Sequence, residues 1–164
     1  MISAIYDVPP SRHALLRDWQ VATVFQAQSG NPVNIVTSTA SINGLPNTVR
    51  PDLTGPIRVV GSPDQWFDTS VFVAVNRFGS LGRNAVVGPA FHNTDLSVVK
   101  NTRLGATATL QCRVDAFDLF NHANFGPPGN IVGSPTFGKI TRTRLPTGEA
   151  GSSRQLQLAA RLSF

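Results

Sequence analysis

The final ten residues alternate strictly. In Gln155-Leu-Gln-Leu-Ala-Ala-Arg-Leu-Ser-Phe164, one parity holds Leu156, Leu158, Ala160, Leu162 and Phe164, and the other holds Gln155, Gln157, Ala159, Arg161 and Ser163. Side chains alternate across a strand, so this segment has one apolar and one polar face; a helix would spread its leucines around most of the cylinder. Residues 107–119 repeat the pattern, with Leu110, Cys112, Val114 and Ala116 against Thr109, Gln111, Arg113 and Asp115. Residues 92–103 do so more loosely, setting Leu96 and Val98 against Asp95 and Ser97. Near the start, Trp19, Val21, Thr23 and Phe25 oppose Gln20, Gln26 and Gln28, with Val24 breaking the polar face. Ile2, Ala4, Tyr6 and Val8 oppose Ser3 and Asp7. The pattern predicts five strands, at about 2–8, 18–36, 92–103, 107–119 and 155–164. The second is expected to continue through Val33-Asn-Ile-Val36 past a kink at Gly30 and Pro32.

The connections alternate in length. About ten residues (Pro9 to Arg17) join strands one and two, and a tight turn around Arg103-Leu-Gly-Ala106 joins three and four. The other two links, roughly 38–91 and 121–153, are long, and they hold most of the glycine and proline. Two structureless loops of that size are uncommon in a compact soluble domain. Outer-membrane barrels have them, because short periplasmic turns alternate with long extracellular loops. If the last strand ends at the periplasmic rim, tracing back places both short turns on that side. The expected fold is therefore all-β: an antiparallel meander of about five strands, part of a transmembrane β-barrel, with two long extracellular loops. A strand of 9–11 tilted residues crosses the hydrocarbon, and the last strand has about that length. Phe164, Tyr6 and Trp19 fall near the periplasmic rim, where aromatic girdles occur.

Composition agrees. Hydrophobic residues make up 41 % of the 164 and charged residues only 14 %, against about 25 % charged in soluble domains. No run approaches the ~20 apolar residues of a spanning helix, so the apolar content is diluted by alternation. The expected location is the bacterial outer membrane, in contact with its lipid. The net charge of +5 comes mostly from arginines scattered between Arg12 and Arg161, without a basic run, and a nucleic-acid partner is not expected. Gln111, Arg113, Asp115, Gln157 and Arg161 occupy the polar parity and are expected to face the lumen. There a charge avoids the ~2–4 kcal/mol penalty of the lipid face. Arg113 and Asp115 share a face and are expected to pair.

Enzymatic chemistry finds little support. His13, His92 and His122 sit in three segments, none with a second His or Cys at ligand spacing. Cys112 is the only cysteine, so no internal disulfide forms. Asp115 and Asp118, three apart on a strand, are expected on opposite faces. Gly126-Pro-Pro-Gly129 reads as a turn rather than a phosphate loop. Trp66, Phe67 and Phe72 are expected to pack the first loop on itself. No catalytic residues, cofactor or metal are expected.

An ordered set of segments carries a resemblance. They are Asp18-Trp-Gln20 with Gln28-Ser-Gly-Asn-Pro32; Phe78-Gly-Ser-Leu-Gly-Arg-Asn84 with Gly88-Pro-Ala-Phe91; and Asp95-Leu-Ser-Val-Val-Lys-Asn101. Leu110-Gln-Cys-Arg-Val-Asp-Ala-Phe-Asp-Leu-Phe-Asn-His122 with Asn124-Phe125 follows, then Arg154-Gln-Leu-Gln157 onward to Phe164. Together they resemble the C-terminal barrel region of TonB-dependent receptors, in particular the Oar-like family, whose members carry an N-terminal carboxypeptidase-regulatory-like domain. The resemblance covers nearly the whole chain. It implies a transporter importing a large solute, coupled through a plug domain to the TonB system. It also implies that Leu158, Ala160, Leu162 and Phe164 resemble the C-terminal signal read by the barrel-assembly machinery. Such receptors have about 22 strands. Plug, TonB box and signal peptide are not seen, so Met1 is expected to be an internal start or a fragment boundary, with the rest of the barrel and plug as partners. The rival expectation is a soluble all-β binding module of adhesin- or lectin-like type. That reading requires the apolar faces to pack on each other in water.

Overall fold

The computed structural model describes residues 1–9, 11–13, 15–37, 49–145 and 153–164. Along these residues the strands run β1 (Ile2–Asp7), β2 (Trp19–Gln28), β3 (Pro32–Val33), β4 (Val36–Thr37), β5 (Asp52–Leu53), β6 (Val59–Ser62) and β7 (Gln65–Phe67). There follow β8 (Phe72–Val73), β9 (Val86–Val87), β10 (Phe91–Leu104), β11 (Ala108–Phe117), β12 (Ile131–Val132) and β13 (Gln155–Ser163). The chain forms two compact units. One comprises Met1–Gln28, His92–Ala123 and Leu145–Phe164; the other comprises Ser29–Phe91 and Asn124–Arg144.

The first unit is a wall of five strands in the order β1-β2-β10-β11-β13. These are the five strands expected from alternation, each beside its predecessor, so the wall is an all-β antiparallel meander. Register joins the apolar parities into continuous rows. Leu96 lies opposite Ala116 and Ala116 opposite Leu156; Val98 opposite Val114 and Val114 opposite Leu158. Cys112 faces Ala160 and Leu110 faces Leu162. At the other edge Tyr6 meets Val21 and Ile2 meets Phe25. This face is uncovered: Leu158 is 77 % exposed and Leu156 69 %. The packed apolar faces that a soluble module requires are therefore absent from the described wall. The tight turn after β10 uses Gly105 at φ 76°, a left-handed conformation that glycine adopts without steric cost.

Two expectations about the strands are corrected. The second strand does not run to residue 36; it ends at Gln28. Gly30 explains the break, because a Cβ there would lie 1.8 Å from the Gly88 carbonyl oxygen. The chain passes against another backbone instead of continuing a ladder. Val33 then pairs with Val86, and Val36 pairs in parallel with Ile131.

Nor are the long connections structureless. Their described residues hold six short strands, β5 to β9 and β12, which pair with one another or with β3 and β4 as two-stranded ribbons. They also share a core of Val33, Ile35, Phe67, Phe72, Leu81 and Val86. Phe67 is fully buried, and its ring meets Phe72 and Phe137 edge-on with centroids 5.5 and 5.4 Å apart. Such aromatic pairs contribute about 0.5–1.5 kcal/mol each beyond burial. Phe67 and Phe72 come from the first long connection and Phe137 from the second, so the two connections fold as one body. The parts of the expected loops at 38–48 and 146–152 lie outside the described residues.

Candidate functional site

Opposite the apolar rows, the wall carries polar ones. Asn101, Gln111 and Arg161 are register partners, as are Ser97, Asp115 and Gln157. The five expected lumen residues thus share one face of β11 and β13. Arg113 Nε donates to Asp115 at 2.8 Å, forming the expected ion pair, and Ser97 also hydrogen-bonds Asp115. Gln111 Nε2 donates to Asn101 Oδ1 at 2.9 Å. At the short-turn end, Gln20 Nε2 donates to Asp7 Oδ1 at 2.8 Å. The polar face thins toward β1, where Ile5 sits opposite Ala22 and Ser3 opposite Val24; strict alternation fails there because Ile5 occupies a polar-parity position.

Leu158, Ala160, Leu162 and Phe164 lie on the exposed apolar face at the wall's edge strand, with Phe164 97 % exposed. They stand in one row along β13, as alternation requires.

The second unit offers a cleft of about 400 Å³, lined among others by Asn34, Asn130, Thr136, Lys139, Thr141 and Arg142. Its size falls within the usual range of ligand sites. Pro127, Pro128 and Gly129 line one side of it, so the Gly-Pro-Pro-Gly segment, expected as a turn, instead runs without one along the cleft. Gly129 is required there, since a Cβ would stand 2.1 Å from the Thr136 carbonyl oxygen. Trp66 and the two phenylalanines expected in loop packing are used that way. Trp66 packs on the core and donates its indole N–H to the Val87 carbonyl at 2.8 Å.

Asp52 anchors this unit. Arg77 grips both its oxygens, and the Ser80 amide donates to Oδ1 at 2.9 Å. The Arg77 guanidinium hydrogen bond, followed by the Ser80 amide, holds the Asp52 carboxyl below its ordinary value.

Two groupings escape sequence reasoning. His92 and His122, in different segments, meet edge-on with ring centroids 5.8 Å apart. They flank Phe25 and Phe120 around an apolar hollow of about 330 Å³. Asp118, assigned by alternation to the face opposite Asp115, lies just beyond β11 with φ 49°. Strand alternation does not govern a residue in the left-handed region, and its side chain is buried at 1 % exposure. No local signal marks either grouping, because both depend on the β10–β11 register. Among the described residues, no three His, Cys, Asp or Glu side chains form a metal-holding group. No helix of the described residues is long and apolar enough to cross a membrane, which leaves crossing by strands untouched.

The family model of the outer membrane beta barrel domain matches residues 1–157. No curated protein matches the chain, and no solved structure does.

Proposed function

Since the chain belongs to the outer membrane beta barrel domain family, and so resides in the outer membrane with a membrane-associated transport or receptor role, we propose that it forms the C-terminal wall of a TonB-dependent, Oar-like receptor importing a large solute. The observation that carries this reading is the joint folding of the two long connections around Phe67, Phe72 and Phe137. Simple turns need no core; a body with its own core and cleft suits capture of a solute outside the cell. In this reading the polar rows Ser97–Asp115–Gln157 and Asn101–Gln111–Arg161 face the lumen and a plug domain, and the apolar rows face lipid. Further strands complete the barrel, because unpaired strand edges in hydrocarbon cost several kcal/mol per group. The barrel-assembly machinery reads the Leu158, Ala160, Leu162 and Phe164 row. The protein carries its solute without catalysis or cofactor and has no nucleic-acid partner.

Epistasis tests the reading. Strains lacking this gene, lacking TonB, or lacking both are grown on a panel of large solutes as limiting nutrients. The reading expects a solute on which the single deletions grow equally poorly and the double deletion grows no worse. A defect that deepens when TonB is also removed would sink it.

A further inference from the structure

The second unit is the basic part of the chain. Its seven Lys or Arg residues stand against three acids, Asp52, Asp64 and Asp68, so it holds most of the net charge of +5. Asp52 is already gripped by Arg77. The stretch 124–144 contains Lys139, Arg142 and Arg144 but no Asp or Glu, and it supplies most of the lining of the cleft of about 400 Å³. Lys139 and Arg142 both line that cleft, with no acidic residue among its described lining. Neither side chain is paired with a carboxylate among the described residues. Backbone hydrogen bonds fix where the two cations stand. The Gly126 amide donates to the Arg142 carbonyl at 2.9 Å, and the Gly129 amide to the Lys139 carbonyl at 2.8 Å. Pro127 and Pro128, between the glycines, have no N–H to give, so 139–142 is held to this side of the cleft at both ends. Three residues span at most about 10–11 Å, which keeps the two cations within reach of one ligand. Asn130 Nδ2 donates to the Asn34 carbonyl at 2.8 Å and ties the residues between β3 and β4 to the same rim.

We propose that this cleft binds an acidic group of the solute, a carboxylate or a phosphate, and the proposal rests on the capture role given above to the body that holds it. The Arg142 guanidinium is a planar fork that matches two oxygens of either group, and the Lys139 ammonium adds a point charge. Hydrogen bonds to ionised groups are roughly twice as strong as neutral ones. The hydroxyls of Thr136 and Thr141, also in the lining, can donate to the remaining oxygens. Pro32 and Pro127 offer exposed apolar surface to the uncharged remainder of the ligand. A cleft lined by one sign of charge also focuses the field and raises the local concentration of solutes of the other sign. Its volume suits a drug-sized molecule or the acidic end of a larger one.

The test uses the complete barrel in detergent at low salt. Citrate is the carboxylate probe, glucose 6-phosphate the phosphate probe and glucose the neutral control, and saturation-transfer NMR observed on the probe gives each Kd. At least one of the two anions should bind at least tenfold more tightly than glucose and weaken as salt is added; the tighter of the two names the acidic group. Lys139→Gln and Arg142→Gln should each weaken that binding, and the double variant should weaken it at least tenfold. Both side chains are exposed, so the melting temperature should stay that of the parent. Arg83→Gln removes an exposed charge of the same unit outside the cleft and should bind as the parent does. Anions held no more tightly than glucose would overturn the site, as would a loss in Arg83→Gln equal to that in the double variant. Binding to the isolated barrel needs no TonB. A failed epistasis test with anion binding intact would therefore sink the import reading and leave the cleft standing, and the reverse result would do the opposite.

Discussion

The Lys100 ammonium lies 5.4 Å from the centre of the Trp19 ring, on the face of the wall that carries Val98, Val114 and Leu158. It also donates to the Arg17 carbonyl oxygen. A lysine on a lipid-facing row would cost ~2–4 kcal/mol at the midplane and ~0–1 near an interface. The long side chain instead bends toward the short β1–β2 connection, where aromatic rings and polar backbone gather. We expect Trp19→Ala to cost roughly 1–2 kcal/mol of barrel stability, in line with a partly desolvated cation–π contact plus lost packing. In the Lys100→Leu background the same change should cost measurably less. Urea titrations of the complete barrel in vesicles, run as a double-mutant cycle, check this; a coupling energy of zero would refute it.

The native thiol reports on the facing of β11. Cys112 is exposed in the described wall and sits in the apolar row beside Ala160. In membranes it should react slowly with a charged, water-soluble maleimide. Gln111→Cys in a Cys112→Ala background should react at least tenfold faster, because the next residue points to the opposite face. Equal rates, or a faster Cys112, would mean that the two faces have been assigned the wrong way round.

How much of this could be read from the chain alone differs between its parts. The wall strands are legible because each sets apolar residues on one parity and polar residues on the other, and register then aligns the rows, as Leu156, Leu158 and Leu162 show opposite Ala116, Val114 and Leu110. The second unit was not, because its strands are two to four residues long and depend on distant partners. Val36 pairs with Ile131, and no local periodicity announces such a bridge. The end of β2 was misplaced for a related reason: Val33-Asn-Ile-Val36 has strand-like residues, but Gly30's approach to Gly88 redirects the chain first. Alternation likewise misplaced Asp118, since one left-handed residue cancels the parity rule.

Glycines in the second unit should divide sharply. Gly30→Ala places a methyl group 1.8 Å from the Gly88 carbonyl oxygen, and Gly79→Ala places one 2.3 Å from two backbone oxygens, those of Arg50 and Pro51. Because backbone must shift, each should cost about 1–3 kcal/mol. Gly82→Ala meets nothing within 4 Å and should stay within about 0.5 kcal/mol. Limited proteolysis of 29–91 under increasing urea distinguishes the three; a Gly30→Ala variant as resistant as Gly82→Ala would contradict the close approach.

Acid should loosen the second unit through Asp52. Its carboxyl titrates below the ordinary value of 3.8, chiefly because of the Arg77 hydrogen bond. A depressed folded value means that the stabilisation is complete well above 3.8 and is lost as pH falls through the lower folded value. Pepsin cleavage within 49–91 should therefore rise as pH drops below about 3.8. In Asp52→Asn, cleavage should be faster than in the parent at the upper end of the pepsin range and lose its acid step. An acid step of the same size in Asp52→Asn would assign it to other carboxylates.

Phe137 fills an aromatic cluster whose other members, Phe67 and Phe72, arrive from a connection more than sixty residues earlier in the chain. The two long connections are thus a single inheritance. A change of ligand preference achieved by exchanging one of them between related receptors would leave the other's phenylalanines facing strangers. Diversity at this surface is expected to travel in matched pairs, with recombination breakpoints outside both segments and the wall strands carried along between them.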